Sequence, residues 1–154
     1  MYLQPFIMKN RSLIAIISFL ILSNTLSFSQ SLSTSKIFGF LETQSLRNIS
    51  KSLQEKGFKY INTTSVDNGI TLEQYSKNGS YGNEKISIGK NDELFILIYH
   101  PATIDLYKGM KEKALTSDFS LAYNYKQTKY FENGLMRIGI NDISGDLSFF
   151  SKLK

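Results

Sequence analysis

The sequence predicts an α+β protein: an antiparallel sheet of about eight strands with two helices on one face. Three observations lead there. Residues 84–100 read as a β-hairpin, with Ile86 and Ile88 alternating with polar residues, turn chemistry at Gly89-Lys90-Asn91-Asp92, and an unbroken apolar run over 94–99. The pattern returns later, where Met136-Arg137-Ile138-Gly139-Ile140-Asn141-Asp142 answers Ile86-Ser87-Ile88-Gly89-Lys90-Asn91-Asp92 and precedes a second apolar strand over 147–150. Each hairpin is also preceded by a stretch with helical spacing, so the chain reads as two tandem α-β-β-β-β units, about 43–99 and about 104–151.

In the first unit, Thr43 reads as an N-cap, Leu46, Ile49 and Leu53 share one helical face, and Gly57 supplies the stop. Residues 36–41 read as a short strand or as the entry to that helix. Phe58 and Tyr60 then alternate with polar neighbours, Asp67-Asn68-Gly69 marks a turn, and Ile70 and Leu72 open a strand that ends at Asn78-Gly79. Pro101 closes the apolar strand, because it has no amide to donate and biases His100 away from helix. In the second unit Ile104, Tyr107, Met110 and Ala114 recur at helical spacing. Phe119, Leu121, Tyr123 and Tyr125 alternate, a strand covers 128–133, and Asn133-Gly134 turns into the repeated hairpin. Leu46, Ile49, Leu53 and Phe58 match Tyr107, Met110, Ala114 and Phe119 at one offset, and Tyr75 with Asn78-Gly79 matches Tyr130 with Asn133-Gly134.

The 154 residues are one domain's worth of chain, and 42% hydrophobic with 13% aromatic content suffices for a core. The lysines are scattered rather than striped, so a net charge of +5 carries no argument for nucleic acid. The absence of cysteine excludes disulfides, thiol catalysis, thiolate metal sites and lipid attachment through cysteine. At the N-terminus, Lys9 and Arg11 precede an apolar run over 13–22 and a small-x-small site at Ser27-Phe28-Ser29. This predicts a signal peptide over 1–29, with Met8 as an alternative start, and a flexible leader over 30–35. The run falls short of the roughly 20 residues a membrane span needs, so no stable anchor is expected after cleavage. The predicted location is periplasmic or secreted.

The signal ending Ser27-Phe28-Ser29-Gln30, with the Lys, Asn, Ser, Ile and Tyr bias of the rest, resembles small exported proteins of Bacteroidota. The tandem helix-plus-four-strand order resembles the architecture of the secreted β-lactamase inhibitor proteins. That resemblance implies a binding module rather than an enzyme. Those inhibitors are held by disulfides, which this chain cannot form, so no binding residue is carried over and inhibition of that enzyme class is not implied.

Little chemistry is readable. His100 is the only histidine and reads as a turn residue; no G-x-S-x-G elbow and no Gly-rich phosphate loop occurs. Residues 141–146 lack the alternating ligands and closing glutamate of a calcium loop, and the Asn-x-Ser/Thr matches at Asn48, Asn62 and Asn78 carry no function. No catalytic residue, metal ligand or cofactor is assigned. An enzymatic reading would need a carboxylate pair such as Asp105 with Glu112 or Asp142 with Asp146.

The informative feature is the two-sided apolarity of 94–99. Leu94, Ile96 and Ile98 are expected to face the helices, which leaves Phe95, Leu97 and Tyr99 on the other side, joined by Tyr75, Tyr130 and Phe150. Those six residues are the candidate partner-binding surface, for a protein partner or a second copy of the chain. The alternatives are that the N-terminal strand, a loop or a closed barrel covers that face, or that the sheet curls around an apolar ligand in an enclosed cavity.

Overall fold

A computed structural model describes residues 31–66 and 69–153. The predicted signal segment 1–29, the alternative start at Met8, and Asp67 and Asn68 of the first turn lie outside the described residues. The elements run α1 Thr34–Thr43, α2 Leu46–Glu55, β1 Lys59–Val66, β2 Ile70–Gly79, β3 Gly82–Lys90, β4 Leu94–His100, α3 Ile104–Ala114, β5 Ser120–Tyr125, β6 Thr128–Glu132, β7 Met136–Asn141 and β8 Asp146–Lys152. The α+β class and the single eight-stranded antiparallel sheet agree with the sequence reading.

The first departure is a third helix. Ile37, Phe40 and Leu41 fall at i, i+3 and i+4, one face of a helix, and all three are buried. Ser33 caps α1 by accepting from the Lys36 amide at 3.2 Å, and Gln44, at φ 50, ends it. Thr43 is therefore not an N-cap: its hydroxyl donates to the Gly39 carbonyl at 2.8 Å, and Ser45 caps α2 instead. Residues 31–35, read as a leader, enter the fold, since Leu32 is buried and Thr34 and Ser35 open α1.

Gly57 does stop α2, as its sequence position implies. At φ 84 it lets the Phe58 amide reach the Leu53 carbonyl at 3.0 Å while its own amide reaches Gln54 at 2.9 Å. This is the Schellman pattern, and the accompanying apolar contact is made by Leu53 and Phe58, both buried.

The sheet order is β1-β2-β3-β4-β8-β7-β6-β5, so two four-stranded meanders meet where β4 pairs with β8. Leu97 lies opposite Phe149 at this seam. One cross-strand row, Glu73, Ile88, Leu97, Phe149, Ile138, Phe131 and Leu121, runs outward from that pair through equivalent strands in both directions. Equivalent turns also close alike. Asn91 accepts from the Glu93 and Leu94 amides, and Asn141 accepts from those of Ile143 and Ser144, at 2.8 to 3.1 Å.

The three helices of the described residues bury their apolar faces on one side of the sheet, in a single core with Tyr75, Ile86, Ile88, Phe95, Leu97, Tyr99, Ile138, Ile140, Leu147 and Phe149. This reverses the expected sidedness of β4. Phe95, Leu97 and Tyr99 are fully buried beneath the helices and Tyr75 is nearly so, whereas Leu94, Ile96 and Ile98 belong to a separate cluster on the other face. Strand alternation fixes that the two sets are opposed, but not which set meets the helices. The bulkier set, the rings of Phe95 and Tyr99 with Leu97 between them, is the one that fills the space beneath the helices.

Candidate functional site: the open sheet face

The helix-free face is built from two adjacent cross-strand rows. One is Leu72, Gly89, Ile96, Phe150, Arg137 and Glu132; the other is Gln74, Ser87, Ile98, Ser148, Gly139, Tyr130 and Tyr123. Gly89 on β3 pairs with Leu72 in the first row, and Gly139 on β7 pairs with Tyr130 in the second.

Each glycine lies beneath a large neighbour. A Cβ on Gly139 would sit 3.0 Å from Tyr130 Cε1, and one on Gly89 would sit 2.8 Å from Leu72 Cδ2 and 2.2 Å from the Thr71 carbonyl oxygen. The missing side chains thus let Tyr130 and Leu72 lie across their neighbouring strands. Tyr130 continues into an aromatic run. Tyr123 stacks on it with centroids 4.8 Å apart, Phe150 follows at 6.1 Å, and the Arg137 guanidinium stands 5.3 Å from the Tyr123 ring while paired to Glu132. Burial raises the Tyr130 hydroxyl above its ordinary pKa.

The six residues chosen from sequence therefore divide. Tyr130 and Phe150 lie on the open face, half-buried; Phe95, Leu97, Tyr99 and Tyr75 do not. Tyr75 goes with Tyr99 to the helix side, both lying opposite Ile86, and remains out of phase with Leu72, which lies opposite Gly89. Its hydroxyl donates its one proton to Glu73 at 2.6 Å and, at 2.8 Å, accepts from the Ser50 hydroxyl. Burial first, then the bond to Glu73, pushes its pKa up to about 12. Tyr99 donates to the buried Glu84 at 3.0 Å, and Lys77 stands opposite Glu84 in the register, 5.6 Å over the Phe58 ring. These polar atoms close one end of the core.

Beyond Ile98 the face becomes polar. An open groove of about 530 Å³ is lined by Gln74, Asn83, Lys85, Ser87, His100, Ser144 and Asp146 among others. Sequence reasoning missed the pairing inside it: His100 Nδ1 meets Asp146 Oδ1 at 2.9 Å across the β4–β8 seam, and Ser144 Oγ donates to the other Asp146 oxygen at 2.5 Å. The only sequence signal was that His100 ends one central strand and Asp146 begins its neighbour. The arrangement orients an imidazole, but the serine bonds the carboxylate rather than the imidazole. Among the described residues no hydroxyl is hydrogen-bonded to His100, as an activated nucleophile would be.

Neither carboxylate pair named for an enzymatic reading is a bonded pair. Asp142 accepts from Lys111 at 2.6 Å and from Tyr107 at 2.8 Å, contacts that lower its pKa, and Asp146 is engaged as described. No hydrogen bond joins Asp105 to Glu112 among the described residues. No group of three His, Asp or Glu side chains placed to hold a metal ion occurs among the described residues, and none of their helices is long and apolar enough to cross a membrane. Searches against family models, curated proteins and solved structures find no match to this chain.

Proposed function

We propose that the chain is an exported, non-enzymatic binding protein that holds a protein partner on its open sheet face. One observation carries this reading: Leu94, Ile98 and Phe150, half-buried around the buried Ile70, Leu72 and Ile96, form an apolar cluster on the face opposite the helices, continued by the Tyr130–Tyr123 stack, and no helix covers it among the described residues. Rigid, pre-stacked rings with hydroxyl tips suit protein contact, because they give area and a hydrogen bond at low entropic cost. The depressions on this face are open to solvent, which favours surface contact over carriage of an apolar ligand in an enclosed cavity. Export rests on the basic, apolar and small-x-small order of residues 9–29.

The face test uses Tyr123→Ser and Tyr130→Ser. Both are expected to keep the fold, with melting temperatures within a few degrees of the unmodified chain, and to abolish capture of a partner from the exported fraction of the producing cell. Capture that survives both substitutions overturns the assignment of this face. We also infer that the two helix-plus-meander units are a duplication. The paired glycines, the paired asparagine turns and the seam at Leu97 and Phe149 support it. The alignment of Tyr75 with Tyr130 must be replaced by Leu72 with Tyr130, since Tyr75 faces the core.

A further inference from the structure

The large apolar side chains that remain exposed are not centred on the open face. Among the described residues six of the ten lie on the two outermost strands, Tyr60, Ile61 and Val66 on β1 and Leu121, Tyr123 and Tyr125 on β5; the other four, Tyr81, Ile104, Leu135 and Ile143, lie in turns or at the start of α3. An outermost strand turns alternate N–H and C=O groups to solvent, and proteins ordinarily blunt such an edge with charge, proline or a bulge. β1 has polar Asn62-Thr63-Thr64-Ser65 along its middle and opens with Lys59. β5 lacks both charge and proline: all six residues of Ser120-Leu121-Ala122-Tyr123-Asn124-Tyr125 are exposed, and its one defence is the irregularity at Ala122, which β1 also has at Ile61.

We propose that β5 is a pairing edge whose occupant is β5 of a second copy, antiparallel across a twofold axis, so that one sheet runs through both molecules. Every strand pair in this sheet is antiparallel, and a twofold pairing continues that pattern. The charge pattern fits a like copy. The strand itself is neutral, Arg137 beside it is already paired to Glu132, and Lys126 lies over the Tyr125 ring at the end of the hairpin, so no like charges meet at the centre. Both sides of the strand gain cover together, Tyr123 and Tyr125 on the open face and Leu121 on the helix side. Tyr123 is already held by its stack on Tyr130, which lowers the ordering cost. Three half-exposed large side chains per copy, with the paired backbone, bring the buried total to about 1,000 Å², the lower end for a specific contact. A reversible dimer with Kd in the micromolar range is expected.

The test is sedimentation of the purified chain from about 1 to about 500 µM, beside Leu121→Lys and Tyr125→Lys on β5 and Ile61→Lys on β1. A dimer weakened at least about tenfold by each β5 variant and unchanged by the β1 variant supports the proposal. Hydrogen exchange of the unmodified chain supplies a readout free of any folding defect, since β5 amides gain protection as concentration rises. A monomer throughout the range overturns the proposal, as does association that both edges' variants leave intact. Loss by the β1 variant alone, or assemblies that grow past the dimer and are stopped by either edge, also overturns it in favour of β1 or head-to-tail pairing.

Discussion

Phe95 and Leu97 are the residues at which binding and core assignments part. Both have no exposed surface and lie between the sheet and the helices, so truncation leaves a cavity that nothing in the monomer can fill. Phe95→Ala and Leu97→Ala are each expected to cost about 2 to 5 kcal/mol in denaturant unfolding. A loss below about 1 kcal/mol would mean that the ring row does not form the core as described. Asp142 gives a residue-scale prediction in pH. Its bond from Lys111, then its bond from Tyr107, hold its folded pKa below the ordinary carboxylate value, so it binds fewer protons when folded than when unfolded. Its contribution is full above about pH 4 and is lost as pH falls through the folded pKa. Asp142→Asn should therefore destabilise at pH 7 and flatten the acid limb of thermal stability, the two proteins converging once pH has fallen below the folded pKa. An unchanged acid limb would assign that limb to other carboxyls.

At the scale of elements, the two face glycines are alike in setting but unequal in tolerance. A Cβ at Gly89 meets a backbone carbonyl oxygen at 2.2 Å, which moves only if β2 moves; at Gly139 the nearest atom is the edge of the Tyr130 ring, at 3.0 Å, which can tilt. Gly89→Ala should therefore cost about 3 kcal/mol or more, and Gly139→Ala about 1 kcal/mol, in denaturant unfolding. Equal costs would mean that β2 and β3 can separate locally without penalty. These elements also mark how far the sequence could be read. The eight strands, α2 and α3 were legible because period and turn chemistry agree in each, as in the Asn91 and Asn141 turns. α1 was missed because its apolar residues, Ile37, Phe38, Phe40 and Leu41, are bunched closely enough to read as a short strand, and Ser33, Thr43 and Ser45 around them read equally well as loop. Of the open face, Tyr130 and Phe150 were found. Four residues were placed on the wrong side, because a run apolar on both faces does not say which face the helices take.

At the scale of the whole molecule, the order β1-β2-β3-β4-β8-β7-β6-β5 puts strands remote in sequence at the centre and each unit's first strand at an edge. β4 and β8 carry Phe95, Leu97, Tyr99, Leu147 and Phe149, so opening either exposes most of the ring row and amounts to global unfolding. β5 buries no residue and β1 has almost none under cover, so each can peel away while the core stays closed. Native-state hydrogen exchange at low protein concentration should therefore rank the amides, with β4 and β8 exchanging only through global opening. β1 and β5 should exchange at least about a hundredfold faster, which corresponds to an opening about 2.7 kcal/mol cheaper. Because the seam joins the two units by strand pairing and a shared core, the two units should also lose protection together. If the unit containing β5 to β8 opened while β2 to β4 stayed protected, the units would be separately stable and the Leu97–Phe149 seam would be a contact between domains rather than the centre of one.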